Sequence, residues 1–145
     1  MMELTDAANT ELLERLNEGK VIQLSPRGIS MLPFIQGGRD KVRVRKEEGI
    51  SEGDIVLASH GGRLILHRVY HMEGTLLTLM GDGNLQGQEI VERSEVCGKV
   101  IAIIKPDGTC RKPHKAWLWR HTKFLRRLML KLRRKWFKMR NLDPE

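Results

Sequence analysis

Apolar residues along this chain recur with two different periods, and the change of period divides it. In Thr5 to Glu18, Leu12, Leu13 and Leu16 fall three and four residues apart on one side. That spacing predicts a short helix, with Asp6 or Asn9 available as its cap and Gly19 suited to its stop. Beyond Lys20 the period drops to two. Lys20 to Leu24 predicts a strand that ends at Ser25-Pro26, and Lys41-Val42-Arg43-Val44-Arg45 alternates as a half-buried strand should. Ile55 to Ala58 follows the turn Glu52-Gly53-Asp54, and Gly61-Gly62 joins it to Arg63–His71 as a hairpin. Thr75 to Met80 and Glu95 to Ile104 add two strands around a glycine-rich loop, Gly81 to Gln88. Pro106-Asp107-Gly108 is expected to end the series. Turn signals at roughly eight- to twelve-residue spacing argue for a mostly β, compact antiparallel domain.

The helical period returns in the tail. From His114 to Met139, Trp117, Leu118, His121, Leu125, Leu128, Leu132, Trp136 and Met139 recur three and four apart, which predicts an amphipathic helix. Charge sharpens the division. Residues 1–110 hold 13 Lys+Arg against 16 Asp+Glu, whereas residues 111–145 hold 13 against 2. A near-neutral body therefore carries a strongly basic tail, and the expected organisation is a domain over 1–110 followed by a basic helix over 111–145. Lysine and arginine opposite a stripe of tryptophan and leucine make Trp117–Met139 a candidate anchor on an anionic membrane surface. The stripe packing back on the β domain is the competing reading. One-sided tryptophans do not favour stacking on bases, so no nucleic-acid partner is expected.

Cys97 and Cys110 are the only cysteines, too few and too far apart for a disulfide framework or a zinc site, and no metal or other cofactor is expected. Met1 to Thr10 holds acids and no apolar run, and no apolar stretch of about eighteen residues occurs anywhere. These features predict neither a secretory signal nor a membrane span. The expected location is the cytosol, with the tail placing the chain on the inner face of the membrane.

One segment carries candidate chemistry. In Gly28-Ile29-Ser30-Met31-Leu32-Pro33-Phe34 a hydroxyl sits between a conformationally free glycine and a proline that fixes the exit direction. A serine is a weak nucleophile and needs an adjacent base. His67, in Leu64-Ile65-Leu66-His67-Arg68-Val69-Tyr70, shares a strand face with Ile65 and Val69. Aliphatic neighbours on a rigid strand favour a neutral, proton-accepting imidazole. His60 and His71 compete from positions nearer the strand ends. Taken singly, Ser30 is as readily a turn residue, and His67 as readily a structural histidine.

Five motifs in order change that balance: Gly28-x-Ser30-Met31-x-Pro33, Gly53-Asp54-Ile55-Val56, Leu66-His67-Arg68-Val69, Gly81-Asp82-x-Asn84 and Gly98-Lys99-Val100. Together they resemble the S24/S26 serine peptidases, which include type I signal peptidases and the self-cleaving repressors of the SOS response. The resemblance runs from about Val21 to Ile104 and implies the signal-peptidase and repressor type of β fold. It also implies Ser30 as nucleophile, His67 as general base and Asp82 as a further catalytic acid, with Gly28, Met31 and Pro33 shaping the oxyanion and positioning segment. Most bacterial members have lysine at the base position; histidine in a His-Arg-Val context is similar to the Ser–His branch.

Three departures accompany the resemblance. The Ser–His branch has a second aspartate about six residues after the first, where this chain has Gln88 followed by Glu89. Either Glu89 is the third member, or Asp82 alone orients the histidine. Gly28 stands where signal peptidases often carry an oxyanion-hole serine, which leaves that task to backbone N–H groups. The usual N-terminal membrane anchor is not seen. The implied activity is a serine endopeptidase of the signal-peptidase I type, cutting a peptide or leader segment through an acyl-enzyme. A regulatory autoprotease, a catalytically silent peptide-binding module on the same fold and a basic-tail nucleic-acid adaptor are the alternatives.

Overall fold

A computed structural model describes residues 6–27, 31, 34–81, 88–113, 128, 131–132 and 135. Helix α1 (Asp6–Asn17) is followed by eight strands: β1 (Ile22–Leu24), β2 (Lys41–Arg45), β3 (Ile55–His60), β4 (Arg63–Glu73), β5 (Leu76–Met80), β6 (Glu89–Glu92), β7 (Val96–Ile104) and β8 (Cys110–Arg111). A 3-10 turn, Arg93–Glu95, leads into β7. All eight strands form one sheet in the order β1-β2-β7-β3-β4-β5-β6, with β8 paired to the end of β7. Every ladder is antiparallel. The mostly β, antiparallel expectation holds, as do the N-terminal helix and the Gly61-Gly62 hairpin.

The two faces of the sheet carry separate cores. On one, Val42, Val44, Ile55, Leu57, Leu64, Leu66, Val100 and Ile103 pack under α1 through Leu12 and Leu16, and Met31 and Ile35 join them. On the other, Val56, Ala58, Ile65, Val69, Leu77, Leu79 and Val91 pack together. The sheet curls so far that β6 lies against β3 although the two are not paired. The second core is therefore the inside of the curl.

Two elements depart from the sequence reading. Glu89–Glu92 is a strand, and it forms the far edge of the sheet. Pro106-Asp107-Gly108 does not end the sheet: Lys105 N–H donates to Thr109 O at 2.9 Å, and the chain turns back so that Ile104 pairs with Cys110. In the tail, Leu128, Lys131, Leu132 and Lys135 are helical and exposed. The rest of the expected helix, from Trp117 to Met139, lies outside the described residues. Among the described residues no helix is long and apolar enough to cross a membrane.

Candidate active site

Strand β4 positions His67. Alternation sends Leu64, Leu66 and Arg68 to the α1 side and Ile65, His67 and Val69 to the inside of the curl, as the sequence predicts. His67 pairs with Val56 of β3 and is only 6% exposed. A polar ring in such surroundings needs partners. It has one: Nδ1 lies 2.8 Å from Oε2 of Glu89, the first residue of β6. An ionised carboxylate only accepts, so Nδ1–H donates to Glu89 and the lone pair of a neutral ring sits on Nε2. The curl of the sheet makes this contact, bringing the β6 carboxylate over the face of β4 from beyond β5.

His67 also sits where the sheet opens. The β4–β5 ladder begins at Arg68, opposite Met80. From Leu64 to His67, β4 has β3 on one side and, among the described residues, no strand ladder on the other.

Ser30, Gly28, Pro33 and Asp82 lie outside the described residues. Met31 does not: it is buried in the α1-side core, and its carbonyl accepts hydrogen bonds from the N–H groups of Phe34 and Ile35 at 3.1 and 3.0 Å. Gly38 N–H donates to Pro26 O at 2.9 Å, which joins the described residues on either side of Ser30. The Phe34 ring lies under the guanidinium of Arg68, 5.3 Å from its carbon to the ring centroid. The residue next to the candidate base therefore touches the segment that follows the candidate nucleophile.

The remaining motifs are mostly scaffold. Gly53 takes a φ of 93°, which a side chain would resist, and its carbonyl accepts from Nη1 of the fully buried Arg68 at 2.6 Å. Asp54 Oδ2 accepts from Ser51 N–H at 2.8 Å and lies 3.3 Å from Lys99 Nζ, linking two motifs. At Gly98 a Cβ would come within 2.6 Å of Val44 Cγ1, so glycine permits the close approach of β7 to β2.

Competing candidates weaken on contact with the geometry. His60 is exposed, and His71, also exposed, has Nδ1 3.4 Å from Glu52 Oε1. Cys97 is half-buried, and burial pushes its thiol up, away from the thiolate that cysteine chemistry requires.

The sequence reading did not single out Asp40. Its carboxylate is buried and accepts from Gln36 N–H at 2.9 Å, Lys105 Nζ at 2.7 Å and Arg39 Nε at 3.3 Å. Burial pushes this carboxyl up, but the Gln36 amide and the Lys105 and Arg39 cations outweigh it and hold the group below its ordinary value. A lone aspartate before a strand gives no such signal in sequence; Lys105 is 65 residues away.

The family model described as Peptidase S24-like matches residues 5–101. The chain belongs to the Peptidase S24-like family. Membership supports a peptidase or repressor-autoprotease type of function at the level of the family. The S24-like match ends inside β7, leaving the β7–β8 turn and the basic tail beyond it. No curated protein matches the chain.

Proposed function

We propose that this S24-like chain is a serine endopeptidase in which Ser30 is the nucleophile, His67 the general base and Glu89 the residue that orients His67. The observation that carries the reading is the buried His67 ring with Nδ1 held by Glu89 and Nε2 left to accept a proton. Ser30 Oγ attacks the peptide carbonyl carbon while its proton passes to Nε2, giving a tetrahedral oxyanion and an imidazolium. The Glu89 carboxylate stabilises that imidazolium. Collapse of the intermediate breaks the C–N bond, with Nε2–H protonating the leaving amine. Water then attacks the acyl-enzyme with His67 again as base, releasing the new carboxylate and restoring Ser30. Backbone N–H groups of the Gly28–Pro33 segment are the donors proposed for the oxyanion.

The open edge of β4 suits a substrate in extended form, which adds to an exposed strand through main-chain hydrogen bonds. A leader or precursor peptide fits this description. The chain acts at an anionic membrane surface in this reading, supported by the basic tail and by the exposure of Leu128 and Leu132, 47% and 58%, one helical turn apart. Comparing N-termini across the proteome of cells carrying the parent or Ser30→Ala tests the activity. N-termini found only with the parent name the substrate; identical sets contradict the proposal.

A further inference from the structure

Between β1 and β2, the described residues 34–40 belong to no strand, so their backbone groups have no ladder to satisfy them. Two charged side chains take over. Asp40 Oδ2 accepts from Gln36 N–H, and Lys105 Nζ reaches both Asp40 Oδ2 at 2.7 Å and Phe34 O at 3.3 Å. The sheet register delivers the pair: Lys41 stands opposite Ile104, so the residues flanking that pair, Asp40 and Lys105, meet just beyond the end of the ladder. The β7–β8 turn in turn fixes Lys105, whose N–H donates to Thr109 O and whose carbonyl accepts from Gly108 N–H.

We propose that Lys105 and Asp40 are positioning residues that fix residues 34–40, the segment that follows Ser30, and through it set how readily Ser30 reacts. The route is short. Lys105 fixes the Phe34 carbonyl, Phe34 N–H is bonded to Met31 O, and Met31 is the neighbour of Ser30. Arg68 packs on the Phe34 ring from the strand that carries His67, so the same aromatic residue is held from the base side as well. An ion pair with one partner at 0% and the other at 20% side-chain exposure gains little stability over a well-packed apolar pair. Its value here is direction: a carbonyl acceptor and an amide donor in an irregular loop need a specific cation and a specific anion. Lys105 lies beyond the residues matched by the family model, whereas Asp40, Gln36 and Phe34 lie within them.

The proposal rests on the peptidase reading, and two measurements on the intact chain separate them. The first is the rate of acylation by a fluorophosphonate probe well below the melting temperature. Lys105→Met and Asp40→Asn are expected to slow it by about 10²-fold, the scale of a displacement of about 1 Å, while Lys105→Arg recovers part of the rate. Gly74→Ala, which forces a side chain on the β4–β5 turn at a φ of 60°, away from residues 31–40 and His67, is expected to lower the melting temperature and leave acylation within about twofold of the parent. The second is amide exchange at Phe34 and Ile35, expected to quicken in Lys105→Met far more than at β4. Parent-like acylation in Lys105→Met, equal slowing in Gly74→Ala, or unchanged exchange would overturn the positioning role. A parent that is not acylated at all would overturn the peptidase reading and the catalytic part of this one, with exchange still deciding whether the pair holds the loop.

Discussion

Nδ1 of His67 and Oε2 of Glu89 are 2.8 Å apart, although one residue is on β4 and the other on β6, with β5 between them in the sheet. Only a tightly curled sheet closes that gap. The contact fixes which ring nitrogen carries the proton, and it depends on the carboxylate being an acceptor alone. Glu89→Gln removes the negative charge that stabilises the imidazolium, and whenever its amide N–H faces Nδ1 it favours the tautomer with its proton on Nε2, the nitrogen that has to accept from Ser30. Acylation is expected to fall by about 10²–10⁴-fold, with the fold intact by circular dichroism. A Glu89→Gln variant as fast as the parent would remove Glu89 from the mechanism.

Acid should act through Asp40. Its folded carboxyl titrates below the ordinary value of 3.8, so the unfolded chain binds a proton more readily than the folded one. The stability this gives is present above the unfolded pKa and is lost as pH falls through the folded one. Urea midpoints of the parent should therefore drop more steeply below about pH 4 than those of Asp40→Asn, which lacks the titrating group. Parallel curves would show that the Lys105 and Gln36 contacts do not act in solution.

Gly98 should tolerate no side chain. A Cβ there would sit 2.6 Å from Cγ1 of the fully buried Val44 and 3.2 Å from Arg45 O. Gly98→Ala is expected to cost about 1–3 kcal/mol in chemical denaturation, typical of overpacking. Val44→Ala in the same chain should return part of that loss, since it removes the nearer obstacle.

Membrane association predicts a dependence on two described leucines. Sedimentation with phosphatidylglycerol vesicles at low salt should capture the parent and release it as salt rises, because each basic residue near the surface adds ~1 kcal/mol that screening removes. Leu128→Glu with Leu132→Glu should bind at least tenfold more weakly than the parent. No capture of the parent at low salt would exclude the tail as an anchor.

Much of the fold was legible because a strand with one face in a core and the other in solvent alternates strictly. Lys41–Arg45 was readable to the residue, with Val42 and Val44 buried between exposed basic residues. Glu89–Glu92 was not, since the short strand exposes Ile90 and buries Val91 between two glutamates. Missing that strand hid the means by which Glu89 reaches His67. The parity of β4 placed His67 on the correct face, and the ordered motifs gave the family. Asp40 and Lys105 escaped notice because their meeting depends on the β2–β7 register, which local pattern does not encode.

Acylation of the intact chain at neutral pH, read by mass spectrometry, tests the central claim most directly. A fluorophosphonate is expected to add once, on the peptide containing Ser30, with His67→Gln slowing the reaction by about 10²-fold or more and Ser30→Ala abolishing it. An adduct on another residue, an adduct that persists in Ser30→Ala, or a parent that stays unmodified would contradict it.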